Sequence, residues 1–464
     1  MGFCSKEILY AAVLMCGSFS FGSIIAYGSS TLRLIKVEFG PLSTFSVAAF
    51  QSMPALVAIF ASYLLNLMMK KTSRKKCIII VGITGAIFWL LLLTMNKKYF
   101  WISIVIRGLL GFTLAGTSIV PPLYIVELSP PSRKGFFASF HPIGIITGHI
   151  VINFLGVTHK WQPPIYVVSV FCLILGICVI FIPDSPTDVK IEDGIDLDNG
   201  EEIESNENDN NDNSNDDPEK NDKKEKMETP IKKPSIFDKN MIRSTLIAGF
   251  VMFIPQMSGI GAIMQNLAPL MSEVGLTFDA GYQAVIAISA QLIACCISSM
   301  LLDRFGCRKL WNVSTCGTTL SLLFYALNIN FNWSRWLPMI FLFGYQLFFG
   351  LGLSGVPWVL LPSMFPPELQ APALALGNSL NWLSASIVMF LFPYLSKWFG
   401  QFGLMMILMS VNFISLMFGI IFIKDANSNE QQSKIPKDES VDNIKVQLLN
   451  GQPEINDPNA PVEL

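Results

Sequence analysis

The 464-residue sequence predicts an all-α membrane protein whose twelve transmembrane helices form two pseudo-symmetric bundles of six. Three observations lead there: apolar runs of bilayer length, basic turns that recur on alternate loops, and a proline pattern repeated in the second half. The chain is 52% hydrophobic and only 14% charged, where a soluble domain carries about a quarter charged residues. Most of that charge is confined to 184–239 and 424–464, so the remainder is more apolar still. A span needs about 20 apolar residues. Runs of that kind lie near 8–30, 44–68, 77–95, 99–126, 136–157, 164–183, 244–268, 280–302, 311–330, 336–361, 373–396 and 401–423.

The first run carries no small-residue cleavage site and is expected to remain as a span. The second ends in Lys70, Lys71, Arg74, Lys75 and Lys76; the fourth is followed by Arg133 and Lys134; the eighth runs into Asp303-Arg304-Phe305-Gly306-Cys307-Arg308-Lys309. Gly306 allows that last turn to bend. With alternating spans all three loops share one side. The positive-inside rule makes it the cytosol and places both termini there. The expected location is a plasma membrane or an internal membrane.

The nine cysteines sit mostly in or beside spans and form no disulfide framework. No metal-ligand spacing, nucleotide loop or triad spacing occurs, so neither metal, cofactor nor enzyme chemistry is expected, and no nucleic-acid partner. The expected partners are the lipid bilayer and a small solute; the sequence is silent on oligomeric state. The segments are an N-terminal bundle 1–183, a polar Asn/Asp/Glu-rich linker 184–240, a C-terminal bundle 241–423 and a polar tail 424–464. Linker and tail lack the apolar surface to fold alone. The end of the linker, from Ser235 to Arg243, alternates apolar and polar groups and is expected to dock on the cytosolic face. The halves repeat: Val120-Pro121 is followed nine residues later by Pro130-Pro131, and Val356-Pro357 nine residues later by Pro366-Pro367. Asn332-Trp333-Ser334 is a glycosylation sequon in an outer loop.

Several motifs, in order, resemble the sugar porter family of the major facilitator superfamily. They are Arg107-Gly108 with Gly111, Tyr124-Ile125-Val126-Glu127 with Pro130 and Lys134-Gly135, and Pro183-Asp184-Ser185-Pro186. They continue with Gln256-Met257-Ser258-Gly259-Ile260, Asp303 to Lys309, Pro357-Trp358, Phe365-Pro366 and Asn381-Trp382. The resemblance covers 8–423 and implies the major facilitator fold: two bundles around a central site opened alternately to either side. It also implies a neutral monosaccharide or polyol as substrate. A hydroxyl-rich solute needs carboxamide partners and an aromatic face. The residues that fit are Gln256, Gln265, Asn266, Gln291 and Asn381, with Phe21, Phe349, Trp358 and Trp382 as aromatic contacts. Carboxamides and tryptophan from the opposite bundles are expected to converge on one mid-membrane pocket. The alternative for each carboxamide is a hydrogen bond between helices. Pro255, Gly259 and Gly261 are expected to break the seventh span.

The chain departs from the family at several contacts. Pro142 and Pro255 replace glutamines, Gly261 an asparagine, Gly350 a glutamate of animal glucose facilitators, and Gln265 and Asn266 gating tyrosines. Proton-linked members carry an aspartate in the first span beside the fourth-span arginine. Here Arg107, on the outer side, faces Ile24. That favours facilitated uniport over proton symport, with His141 the one candidate substitute, read as a neutral hydrogen-bonded group. A non-sugar solute and a non-transporting sensor are the alternatives. The family's cytosolic charge network survives in Glu127, Lys134, Asp303, Arg304 and Arg308. Its counterpart has Lys70, Ser363 and Gln370 where charges of other kinds are usual, so Arg74, also counted in the cytosolic network, and Lys75 remain without those partners. Fewer closing charge pairs are expected to favour a cytosol-open state.

Overall fold

The computed structural model describes residues 5–130, 133–184, 236–274 and 279–423, all within one compact unit. Expectations for most of the linker and for the tail, and for the side chains of Lys134 and Asp303, lie outside the described residues. The described chain is helical and contains no strand.

The helices follow the apolar runs. In the first half they are Ser5–Phe39, Thr44–Lys71, Arg74–Leu91, Phe100–Leu128, Phe140–Gly156 and Pro163–Cys178, with a short helix Lys134–Ala138 before the fifth span. In the second half Ile242–Met257, Ile260–Gln265 and Leu267–Val274 make the seventh span; Ala280–Phe331 makes the eighth and ninth. Leu337–Leu351 and Val356–Ser363 make the tenth, and Pro367–Phe422 the eleventh and twelfth. Several starts are set by capping side chains. Ser43 accepts from the Ser46 N–H at 3.0 Å, Ser73 from Lys76 at 3.3 Å, and Asp279 from Gly281 at 2.7 Å.

Two long stretches are each two spans joined at a glycine. Gly306 (φ 79°) breaks Ala280–Phe331 and Gly400 (φ 65°) breaks Pro367–Phe422. Both adopt backbone angles that side chains disfavour. Gly306 is the bend the sequence indicates. Among the described residues ten helical stretches are long and apolar enough to cross a bilayer, the last of them, Pro372–Phe422, holding two passes. The arm after Gly306 completes the set of twelve. It is less apolar because it buries Thr315, Thr318, Thr319 and Asn328 against its neighbours. The first helix reaches Phe39 rather than residue 30. At 1.5 Å per residue its 35 residues extend about 52 Å, so its last turns, with Arg33, Lys36 and Glu38, stand beyond a hydrocarbon core of about 30 Å.

Helices approach closely where side chains are small. A Cβ on Gly22 would lie 1.9 Å from the Ile145 carbonyl oxygen, and one on Gly148 2.3 Å from that of Phe19. The first and fifth spans therefore touch main chain to main chain. The linker end docks as expected. Ile236 is buried among Ala248, Met252, Leu361 and Phe365, and its carbonyl accepts from the Thr245 hydroxyl at 2.6 Å.

The turns at Thr72-Ser73, Arg133, Asp184 and Gly306 lie on one face of the bundle, called here the basic face. The loops at 40–43, 157–162 and 332–336 lie on the opposite, loop face. Asn332 and Ser334 are exposed there.

Candidate functional site

The two halves meet along a seam where an aromatic pair crosses between them. Phe21 of the first span packs on Trp382 of the eleventh with ring centroids 5.7 Å apart, and on His141 at 6.1 Å. His141 Nδ1 is 2.7 Å from the Ser18 hydroxyl, so the ring is held by a hydrogen bond, as read from the sequence. Trp382 is 3% exposed, and its indole N–H has no partner. A buried donor of that kind is costly unless something accepts from it.

The seventh span is broken where Gly259 takes φ +99°. Pro255 and Gly261, also expected to break it, lie inside the helices on either side; a Cβ on Gly261 would press on the flexible Met389 methyl at 2.4 Å, with Gln256 Oε1 at 3.5 Å. The break turns Gln265 and Asn266 toward the first half. Gln265 Nε2 donates to the Gln51 carbonyl at 3.2 Å and to the Met389 sulfur at 3.1 Å; Gln51 Nε2 donates to Asn266 Oδ1 at 3.0 Å. Gln256, half-buried, thus shares a neighbourhood with Gly261, Met389 and Gln265.

The other expected residues are placed as follows. Gln291, 8% exposed, packs against Gly350, and its Oε1 has no partner. A side chain at 350 would strike Ala294 at 2.8 Å, so the family's glutamate could not occupy this arrangement. Phe349 stacks on Tyr345 at 6.3 Å, and Asn381 is 9% exposed. Trp358 keeps 45% of its surface open and is not part of the packed seam. One expectation is corrected: the carboxamides and tryptophans named from the sequence all lie on the second half. The first half brings Phe21, His141 and Gln51 to the seam. Gln51 and Gln346 were missed. Gln346 is fully buried with both amide atoms unpartnered. The rule that singled out Gln256, a carboxamide inside an apolar span, would have found both.

Polar bonds between the halves concentrate toward the loop face. Besides the Gln51–Asn266 pair, the Ala268 N–H donates to the Ser29 hydroxyl at 3.0 Å, which in turn donates to Asn153 at 2.8 Å. Phe45 meets Phe390 at 6.1 Å and Phe154 meets Tyr282 at 6.0 Å. Nearer the basic face, Asn378 donates to the Ser62 hydroxyl at 3.2 Å.

The ion pairs described on the basic face join residues of the first half. Arg74 holds Glu127 through two hydrogen bonds of 2.7 Å, and Lys75 pairs with Asp184 at 2.8 Å. Arg74 and Lys75, which lack the usual partners at 70, 363 and 370, are thus each met by another carboxylate. The turn between the second and third spans swings Arg74 onto Glu127 at the end of the fourth. Arg308 donates to the Ile420 carbonyl at 2.9 Å, and the exposed Arg304 lies over the Phe305 ring at 5.6 Å. The Arg74–Glu127 side chains are 11% and 18% exposed, between the surface and interior limits. Arg74→Gln should therefore lower stability by about 1–2 kcal/mol, read as a fall in thermal midpoint that Lys75→Gln, facing a half-exposed carboxylate, does not match.

Arg107 is fully buried. Its Nη1 donates to the Ile24 carbonyl at 2.9 Å and its Nε to that of Phe50 at 3.2 Å; the guanidinium lies 5.1 Å from the Phe50 ring. Residue 24 does stand beside this arginine, but offers it a main-chain carbonyl.

Among known proteins, the family profile described as "Sugar (and other) transporter" matches residues 10–430. The chain is 26% identical to "Sugar transporter ERD6-like 1" of Arabidopsis thaliana, with 89% of each chain covered. It is 25% identical to "Probable polyol transporter 4" of the same plant, over 69% of this chain and 65% of that one. Among solved structures, the D-xylose-proton symporter superposes with a TM-score of 0.71 at 17% identity, over 90% of this chain and 98% of the other. At that identity the likeness is one of fold: twelve helices in the two-bundle major facilitator arrangement.

Proposed function

Because the chain belongs to the family of sugar (and other) transporters, we propose that it carries a monosaccharide or related polyol down its gradient by alternating access. The observation that supports a sugar-type solute most directly is the Phe21–Trp382 pair between the halves, with its unpartnered indole N–H. An aromatic face suits the C–H surface of a sugar ring, and a free donor suits its hydroxyls. Gln256, Gln291 and Asn381 are the carboxamides of the same half assigned to the remaining hydroxyls. Gln265 and Asn266 belong instead to the closure: they bond to Gln51 and hold the loop face shut.

Uniport is the mode proposed. A proton-coupled carrier needs a titratable group that each side reaches in turn, and Arg107 is met at Ile24 by a carbonyl that binds no proton at working pH. The basic face is assigned to the cytosol. With bonds between the halves gathered toward the loop face, the arrangement is that of a carrier closed outside.

Uptake by purified protein in liposomes tests the reading. Labelled hexoses, pentoses and polyols should equilibrate without accumulating, and an inward proton gradient should leave the plateau unchanged. A plateau that rises several-fold with the gradient would establish symport instead. Uptake confined to organic acids would overturn the solute class.

A further inference from the structure

The first half buries a positive charge for which its own described residues supply no negative one. Arg107 is 0% exposed, and two of its three nitrogens are met by the Ile24 and Phe50 carbonyls. Its Nη2 has no acceptor. Ser103, one helical turn earlier on the same helix and 1% exposed, carries a second unpartnered group, its hydroxyl. Residues four apart on a helix face one another, and helical side chains lean toward the N-terminus, which brings the guanidinium back over Ser103. Trp89 of the third span adds a third unpartnered donor, its indole N–H, fully buried. Trp89 and Arg107 pack on the same Tyr27 ring, at 5.3 Å and 5.7 Å.

No carboxylate is at hand. Among the described residues of the first half the acids are Glu7, Glu38, Glu127 and Asp184. Glu38 accepts from the Trp161 indole at 2.5 Å and stands 14 residues beyond Ile24, about 21 Å along the helix. Glu127 is held by Arg74 at the opposite end of the fourth span. A buried cation without a counter-charge is strongly unfavourable, and so is each buried donor without an acceptor. One small monovalent anion accepting from all three donors would answer both. The aromatic walls, Tyr27 and Phe50, suit a weakly hydrated halide better than a multiply charged oxyanion.

We propose that Arg107, Ser103 and Trp89 form a buried binding site for a chloride-type anion, which serves as the counter-ion of Arg107 and stabilises the first bundle. The site is separate from the solute pathway, and the anion is neither transported nor required for solute recognition.

The test uses the purified full-length protein in detergent, with sodium chloride exchanged for sodium gluconate at constant ionic strength. The thermal midpoint should rise saturably with chloride and with bromide, because a ligand that binds only the folded state stabilises it. Ser103→Ala should weaken the apparent chloride affinity about ten- to a hundredfold, the loss of one hydrogen bond to a charged partner. Ser103→Asp places a carboxylate four residues before Arg107 and should abolish the chloride response, with a midpoint in gluconate at or above that of the wild type in chloride. Equilibrium binding of radiolabelled chloride to the wild type, saturating at one site per chain, decides the matter should Ser103→Asp not fold. The same melting curve for the wild type in chloride and gluconate, or the absence of saturable chloride binding, would mean that water alone serves these donors and would overturn the proposal.

Discussion

Gly22→Val should prevent the chain from reaching its folded form. The new Cβ would sit 1.9 Å from the Ile145 carbonyl oxygen, and that oxygen belongs to main chain, so no side-chain rotation relieves the contact. The first and fifth spans would have to separate by more than an ångström along a seam that also includes Gly148 against the Phe19 carbonyl and Gly156 against Ser30. Overpacking typically costs about 1–3 kcal/mol, and a main-chain clash lies at or above the top of that range. The expected result is loss of the monodisperse peak in detergent size-exclusion chromatography. Gly249→Ala, where the nearest atom is a flexible Leu380 methyl at 3.2 Å, should leave the peak in place. Equal behaviour of the two variants would show that the first and fifth spans tolerate wider spacing.

Trp382→Ala should lower transport at sub-saturating solute by roughly thirtyfold. The change removes an aromatic face from the Phe21 pair and the indole donor assigned to the solute, together about 2 kcal/mol. Trp382→Phe keeps the ring and loses only the N–H, so about a three- to tenfold rise in KM is expected, the value of one hydrogen bond. Initial uptake rates in liposomes across solute concentrations separate the two. If the phenylalanine variant transports like the wild type while the alanine variant fails, the indole N–H does not meet the solute and Trp382 acts by packing alone. A fall in melting temperature for Trp382→Ala without any change in KM would remove it from the site.

The number and order of spans were legible because a bilayer imposes one length on every crossing helix and charge is confined to what lies between. Gly306 and Gly259 were legible for a related reason: a break inside an apolar run needs a residue that tolerates positive φ, and both have it. The site was legible only in part. Gln256, Asn381 and Trp382 were found through a resemblance that carries them. Gln51 and Gln346 were passed over because no motif includes them, although a carboxamide in an apolar run asks for a partner on its own account.

Partnership is what the sequence left open. Arg74 was named in the cytosolic charge network but left without its usual partners. It bonds to Glu127 of that network, since the turn at Thr72-Ser73 carries it onto the fourth span. The carboxamides and tryptophans were expected to face each other from opposite bundles, although all of them fall within 241–423; what the structure adds is that Phe21, His141 and Gln51 stand across from them. By itself the sequence determined that this chain is a twelve-helix, two-bundle protein of the membrane, because hydrophobic length and charge placement are local properties written residue by residue. Only the tertiary structure decided which polar groups meet across helices and which stay unpartnered. Those outcomes depend on distances of a few tenths of an ångström between segments far apart in the chain, and no periodicity along the chain records them.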